Sequence, residues 1–172
     1  NPNMLAIFVS GADIPAIADI DNDGDLDILT FGPSGERLEY HLNLSMELYG
    51  ICDSLVYELG NRCWGYFREN LTGSTLTLFD TCSFNIGNPK RTSRIHAGST
   101  ILSLDVDSNG SSDIVLGDAA STRLTLLTNQ DTTMLKNQSS VNAIDTLFPA
   151  NYTSTTHVEM DDFLGAFYLD VN

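Results

Sequence analysis

With 172 residues, 42% of them hydrophobic, the chain is long and apolar enough for one domain with a real core, and is not a disordered tract. A formal net charge of −15, with 8 Lys and Arg against 23 Asp and Glu, argues against nucleic acid as a partner, because phosphate contacts need cationic side chains. No run of about 18 apolar residues occurs, so no helical membrane span is expected. Met4 to Val9 is a short apolar run that reads as a strand, and Gly11-Ala12-Asp13 as a turn. Ile14 to Ala18 reads as a second strand, leading into the most distinctive stretch of the chain.

That stretch is Asp19-Ile20-Asp21-Asn22-Asp23-Gly24-Asp25-Leu26-Asp27, acidic at every second position with glycine at the sixth. Two unit charges about 4 Å apart repel by about 1 kcal/mol in bulk water and by about 4 kcal/mol at an effective dielectric near 20. A loop that gathers carboxylates this tightly calls for a cation. Hard oxygen donors with no His or Cys nearby suit Ca2+ and not Zn2+. In Ca2+ loops of this type, positions 1, 3, 5 and 9 give side-chain oxygens and position 7 a backbone carbonyl. Here these are Asp19, Asp21, Asp23, Asp27 and the carbonyl of Asp25. Gly24 provides the sharp turn at positive φ.

Leu26 to Phe31 leaves the loop as a strand, and Gly32-Pro33-Ser34-Gly35 is a turn. Arg37 to Leu42 alternates polar and apolar, which predicts a half-buried strand with His41 facing outward. The segment from Leu44 to Thr92 holds Trp64 and all three cysteines, Cys52, Cys63 and Cys82. Leu55 to Leu59 and Thr75 to Phe79 read as strands within it, and Asn85 to Thr92 as loop. No cysteine pair has CxxC spacing, which argues against a zinc or thioredoxin-type site. One bridge with a leftover thiol and three buried thiols are both open at this point, as is the pairing.

The acidic pattern recurs at Asp105-Val106-Asp107-Ser108-Asn109-Gly110-Ser111-Ser112-Asp113. Asp105, Asp107, Asn109 and Asp113 supply side-chain oxygens, and Ser111 the carbonyl at position 7. Asn109 and Ser111 replace acidic residues, so the second loop is expected to bind Ca2+ more weakly. Thr100 to Leu104 enters this loop, Ile114 to Gly117 leaves it, Asp118 to Ser121 turns, and Arg123 to Thr128 returns as a strand. A third copy is expected to begin at Asp170-Val171-Asn172, entered by a strand from Phe163 to Leu169. Position 12, where an EF-hand needs a bidentate Glu, is Thr30 in the first loop and Leu116 in the second. With strands on both flanks, an EF-hand is disfavoured.

The copies are spaced by 105 − 19 = 86 and 170 − 105 = 65 residues. A period near 65 holds four short strands, the size of one sheet of a radial propeller. The expected fold is therefore all-β, a partial β-propeller with ion-binding hairpin loops. Blade 1 starts near 13 and carries a Cys-containing insertion over about 44–92; blade 2 covers about 94–150; blade 3 begins over about 160–172. The chain reads as an internal piece whose first partners are the remaining blades of the same protein.

Ala18 to Leu29 resembles the core of an FG-GAP or VCBS repeat, and so does Leu104 to Gly117. Such repeats form blades of integrin-α-like β-propellers, with Ca2+ in the hairpin between the first two strands of a blade. Cys63 to Glu69, Cys82, Arg94 to Thr100, Leu127-Thr128-Asn129 and Asp145 to Pro149 are similar to secreted repeat proteins of Bacteroidetes, which are type IX secretion substrates. The sequence departs from the repeat at Asn109, Ser111 and Ser112. The resemblance covers nearly the whole chain and implies a secreted or cell-surface location. That location in turn favours a disulfide, Cys63–Cys82 first. Asp53-Ser54-Leu55, Asp131-Thr132-Thr133 and Asp145-Thr146-Leu147 look like the O-glycosylation acceptor triplet of the same bacteria.

No catalytic constellation emerges. His41, His96 and His157 are far apart, and Glu58, Glu69 and Glu159 show no pairing. Carboxylates crowded around a cation stay ionised, which suits neither the general acid nor the nucleophile of a glycosidase. No GxSxG, phosphate-binding or dinucleotide motif is present. Trp64 and Tyr66 have the chemistry to stack on a sugar, but core packing is the stronger reading of Trp64. The expected function is a non-catalytic, Ca2+-stabilised binding or structural module of a secreted or surface protein, adhesive in character. Surface or secretion-machinery proteins and glycans are its expected partners. The alternative is a scaffold within a secreted polysaccharide-degrading enzyme.

Overall fold

A computed structural model describes residues 6–70, 75–83, 98–130, 139–153, 156–161 and 164–169. Among the described residues the fold is all-β, with three antiparallel sheets, none of them closed. The first sheet is a four-stranded meander of β1 (Ala16–Ala18), β2 (Asp27–Phe31), β3 (Leu38–Asn43) and β4 (Tyr57–Trp64), in that order. A one-turn helix, α1 (Ser45–Tyr49), lies between β3 and β4. The strands β5 (Phe67–Glu69) and β6 (Leu76–Leu78) form a separate hairpin. The second meander runs β7 (Ser99–Leu104), β8 (Asp113–Asp118), β9 (Thr125–Asn129) and β10 (Val141–Asp145), followed by the short α2 (Ala150–Thr153).

The meanders are joined near both ends. Ile14 bridges in parallel to Thr100, its N–H donating to Ser99 O at 2.9 Å and its carbonyl accepting from Ile101 N–H at 3.0 Å. At the other end Gly65, just past β4, bridges to Ser140, and Val141 N–H donates to Gly65 O at 2.9 Å. One core fills the space between, made of Leu29, Phe31, Leu38, Tyr40 and Trp64 from the first side and Ile101, Ile114, Leu116, Leu127 and Val141 from the second. The opposite face of the second sheet is also covered. Val115, Leu124 and Leu126 pack there with Leu164, Val158 and Ala166. Alternate residues of Ile114-Val115-Leu116 thus enter different cores, which is why this strand is continuously apolar.

The segment 164–169 approaches so closely that a Cβ at Gly117 would lie 1.9 Å from the Leu164 carbonyl oxygen. Thr100 Oγ1 donates to that same oxygen at 2.7 Å. Only a residue without a side chain fits at 117. Cys63 and Cys82 form a disulfide that encloses the β5–β6 hairpin, and Arg37 makes an ion pair with Asp80 beside it. Cys52 is a free, exposed thiol. The pairing is the one the resemblance favours.

Several expectations are corrected. Residues 6–9 pair with no strand, and Phe8 and Val9 are exposed. The strand around 37–42 is buried on both faces: His41 is only 8% exposed, not outward-facing. Its polar neighbours misled the reading, because Asn43 and Thr30 are buried with it. The strand expected at 55–59 is β4, which starts at Tyr57, runs to Trp64 and completes the first sheet, so part of the supposed insertion belongs to that sheet. Two register shifts against β3 break its alternation. Residues 164–169 pack without forming a strand. Trp64, 2% exposed, is core. Asn85–Thr92, residues 94–97, the triplet at 131–133 and Asp170–Asn172 lie outside the described residues. No helix among the described residues is long and apolar enough to cross a membrane.

Candidate metal centres

Both acidic loops connect the first and second strands of their sheets, β1 to β2 and β7 to β8. Their backbones follow one course. The fourth residue is left-handed in each, Asn22 at φ 59° and Ser108 at 60°, and so is the sixth, Gly24 at 102° and Gly110 at 89°. The position-6 glycines are thus required by the turn, as the sequence indicates. The left-handed fourth residue carries no shared sequence signature: Asn22 is a residue type that tolerates this region, Ser108 is not.

The side-chain oxygens organise this backbone in a shared pattern. Asp19 accepts the N–H groups of Asp23 and Gly24 at 3.0 and 3.1 Å; Asp105 accepts those of Asn109 and Gly110 at 3.0 and 2.9 Å. Asp23 Oδ1 accepts Asp25 N–H at 3.1 Å, and Asn109 Oδ1 accepts Ser111 N–H at 2.7 Å. At position 9, Asp27 and Asp113 are wholly buried. Asp27 accepts the N–H of Ile20 at 3.1 Å, the hydroxyl of Tyr40 at 3.0 Å and the N–H of Asn43 at 2.8 Å. Asp113 accepts the N–H of Val106 at 2.9 Å and of Asn129 at 2.8 Å. Each position-9 carboxylate therefore ties its loop to the third strand of its sheet, 16 residues on.

Among the described residues three sets of carboxylates bring ligand oxygens within 4.8 Å of one another: Asp19, Asp21 and Asp27; Asp105, Asp107 and Asp113; and Asp21, Asp23 and Glu47. The first two consist wholly of expected residues, and the third adds Glu47 to the expected Asp21 and Asp23. Asn109 and Ser111 stay in the second loop, and the Asn109 amide nitrogen donates to Asn129 O at 2.9 Å. Glu47, on α1, escaped the sequence reading, since it stands outside the nine-residue pattern. The side chain of Asp25 was missed too, because only its carbonyl was assigned. That carboxyl is 1% exposed, its Oδ2 accepts Met46 N–H at 2.9 Å, and its Oδ1 has no hydrogen-bond partner among the described residues. The loops also touch: Asn22 Nδ2 donates to Gly110 O at 3.1 Å.

Burial pushes the carboxyls of Asp27 and Asp113 above the ordinary range, although their backbone hydrogen bonds pull the other way. Burial also raises Asp25, with Asp23 and Glu47 adding repulsion. The Tyr40 hydroxyl is pushed up by burial first and then by the charge of Asp27, so it stays protonated and donates. A cation held among these oxygens acts in the opposite sense, favouring the ionised forms. Every donor in the clusters is a hard oxygen, which fits Ca2+. The buried Asp25 Oδ1, lacking a donor, fits a positive ion nearby.

Comparison with protein-family models, with curated proteins and with solved structures finds no match for this chain.

Proposed function

We propose that the chain is a non-catalytic, Ca2+-stabilised binding or structural module of a secreted or cell-surface protein. The observation that carries the reading is the duplicated loop scaffold. The same hydrogen bonds around positions 1, 5 and 9 recur at the same place in two four-stranded meanders. Each meander is read as an FG-GAP/VCBS-type blade of a partial β-propeller. The two blades meet where Ile14, ahead of β1, bridges to Thr100 on β7 and where Gly65, just past β4, bridges to Ser140, just ahead of β10; residues 164–169, which cover the outer face of the second, are read as leading into a third. The remaining blades are then the first partners, with surface or secretion-machinery proteins or glycans beyond them. The disulfide is compatible with an oxidising, extracellular compartment.

Asp19, Asp21, Asp23 and Asp27 would hold one ion, and Asp105, Asp107, Asn109 and Asp113 the other, with the carbonyls of Asp25 and Ser111 as position-7 donors. When bound, Ca2+ supplies the positive charge that lets these carboxylates stay close. The protein's own part is to hold the oxygens in place through the loop N–H groups. Scanning calorimetry of the full chain in Ca2+ and in chelator tests this. At free Ca2+ a hundredfold above Kd, each site adds about 2.7 kcal/mol. For a chain of this size that raises Tm by about 5–10 °C per site. Superimposable melts refute the proposal.

A further inference from the structure

The helix α1 is five residues long, too short to persist alone. It has no side-chain cap of its own, and Leu48 and Tyr49 on it are 56% and 58% exposed. What holds its first turn is the first loop: Met46 N–H donates to Asp25 Oδ2 at 2.9 Å. The Met46 methyl also covers the loop, 4.0 Å from where a Cβ on Gly24 would sit. From this docked position Glu47 reaches Asp21 and Asp23, with ligand oxygens within 4.8 Å. The remaining Asp25 oxygen is buried next to these charges with no donor among the described residues.

The second copy lacks both additions. Ser111 stands in place of Asp25, and at the offset of Glu47 the sequence has Thr133, since 47 + 86 = 133. Asp25 and Glu47 thus occur together in one copy and are both replaced in the other.

We propose that Glu47 is a ligand of the first Ca2+ site, so that the bound ion fastens α1 onto the loop through Glu47 and Asp25. This rests on the Ca2+ reading of the loops. It makes the first site the tighter one and makes the order of α1 depend on Ca2+. The second copy has neither carboxylate at the corresponding sequence positions.

The test uses the full chain with Glu47→Gln, Glu47→Asp, and Glu58→Gln as an exposed control on β4. Titration calorimetry with Ca2+ reads affinity, and amide exchange at Met46 and Leu48 reads the helix. Glu47→Gln is expected to weaken the first site about tenfold and to abolish the Ca2+-dependent protection of those two amides. Glu47→Asp should fall between, and Glu58→Gln should match the unmodified chain. If the unmodified chain binds Ca2+ and Glu47→Gln binds it equally with unchanged exchange, this inference fails while the Ca2+ module stands. If the unmodified chain takes up no Ca2+, both fail.

Discussion

Replacing Asp27 with alanine in chelator isolates what its carboxylate does for the backbone from the ion binding proposed for it. The carboxylate receives three buried donors: Ile20 N–H, Tyr40 O–H and Asn43 N–H. Each donor left unsatisfied costs about 1–3 kcal/mol. Partial relaxation and the relief of burying a carboxylate offset some of that, so a net loss of about 3–5 kcal/mol is expected. Asp113→Ala strands only two donors, Val106 N–H and Asn129 N–H, and should cost about 2–3 kcal/mol. The assay is urea unfolding in chelator, where no ion contributes. Tyr40→Phe adds a check: it should cost about 1.5–3 kcal/mol in the unmodified chain and much less beside Asp27→Ala. If both alanine variants lose less than about 1 kcal/mol in chelator, these carboxylates do not carry the hairpin, and the account of the buried network is wrong.

Three further outcomes follow from the geometry. With Asp21→Asn and Asp107→Asn made separately, calorimetry should find the site left by Asp107→Asn the tighter; equal affinities would refute the charge argument. Gly117→Ala places a Cβ against the Leu164 carbonyl, so a loss of about 2 kcal/mol or more is expected by thermal unfolding, and a neutral result would show that residues 164–169 do not sit there. Burial lowers the His41 pKa below its ordinary 6.5, so the unfolded chain takes up a proton first as pH falls. The His41 contribution is therefore full above about pH 6.5 and declines below it, and His41→Gln should flatten the stability profile in that window. An unchanged acid slope would place His41 in solvent.

The two acidic loops were legible because their spacing is dictated by local chemistry. A backbone that wraps one point needs acceptors at alternate positions and a left-handed sixth residue, and both leave marks in sequence. The flanking strands β2 and β8 were legible for a related reason, being aliphatic and bounded by turns. The strands β4, β5 and β10 left weaker traces. β4 loses its alternation to register shifts, β5 is three residues long, and β10 is irregular against β9. Asn43 and Asn129 carry a signal that goes unnoticed without the fold: both sit 16 residues after the position-9 aspartate and close onto it. Glu47 leaves none, because its approach to the loop depends on where β3 hands over to α1.

The disulfide has a consequence for how the chain ages outside a cell. Cys63 and Cys82 lie 19 positions apart and close a covalent ring around the β5–β6 hairpin. A protease that cuts inside this ring cannot separate the two meanders, because the fragments stay tethered through sulfur. The meanders remain hydrogen-bonded where Ile14 meets Thr100 and where Gly65 meets Ser140, each pair spanning a cut between β5 and β6. A nick there would be silent until reduction, and one chain would then migrate as two.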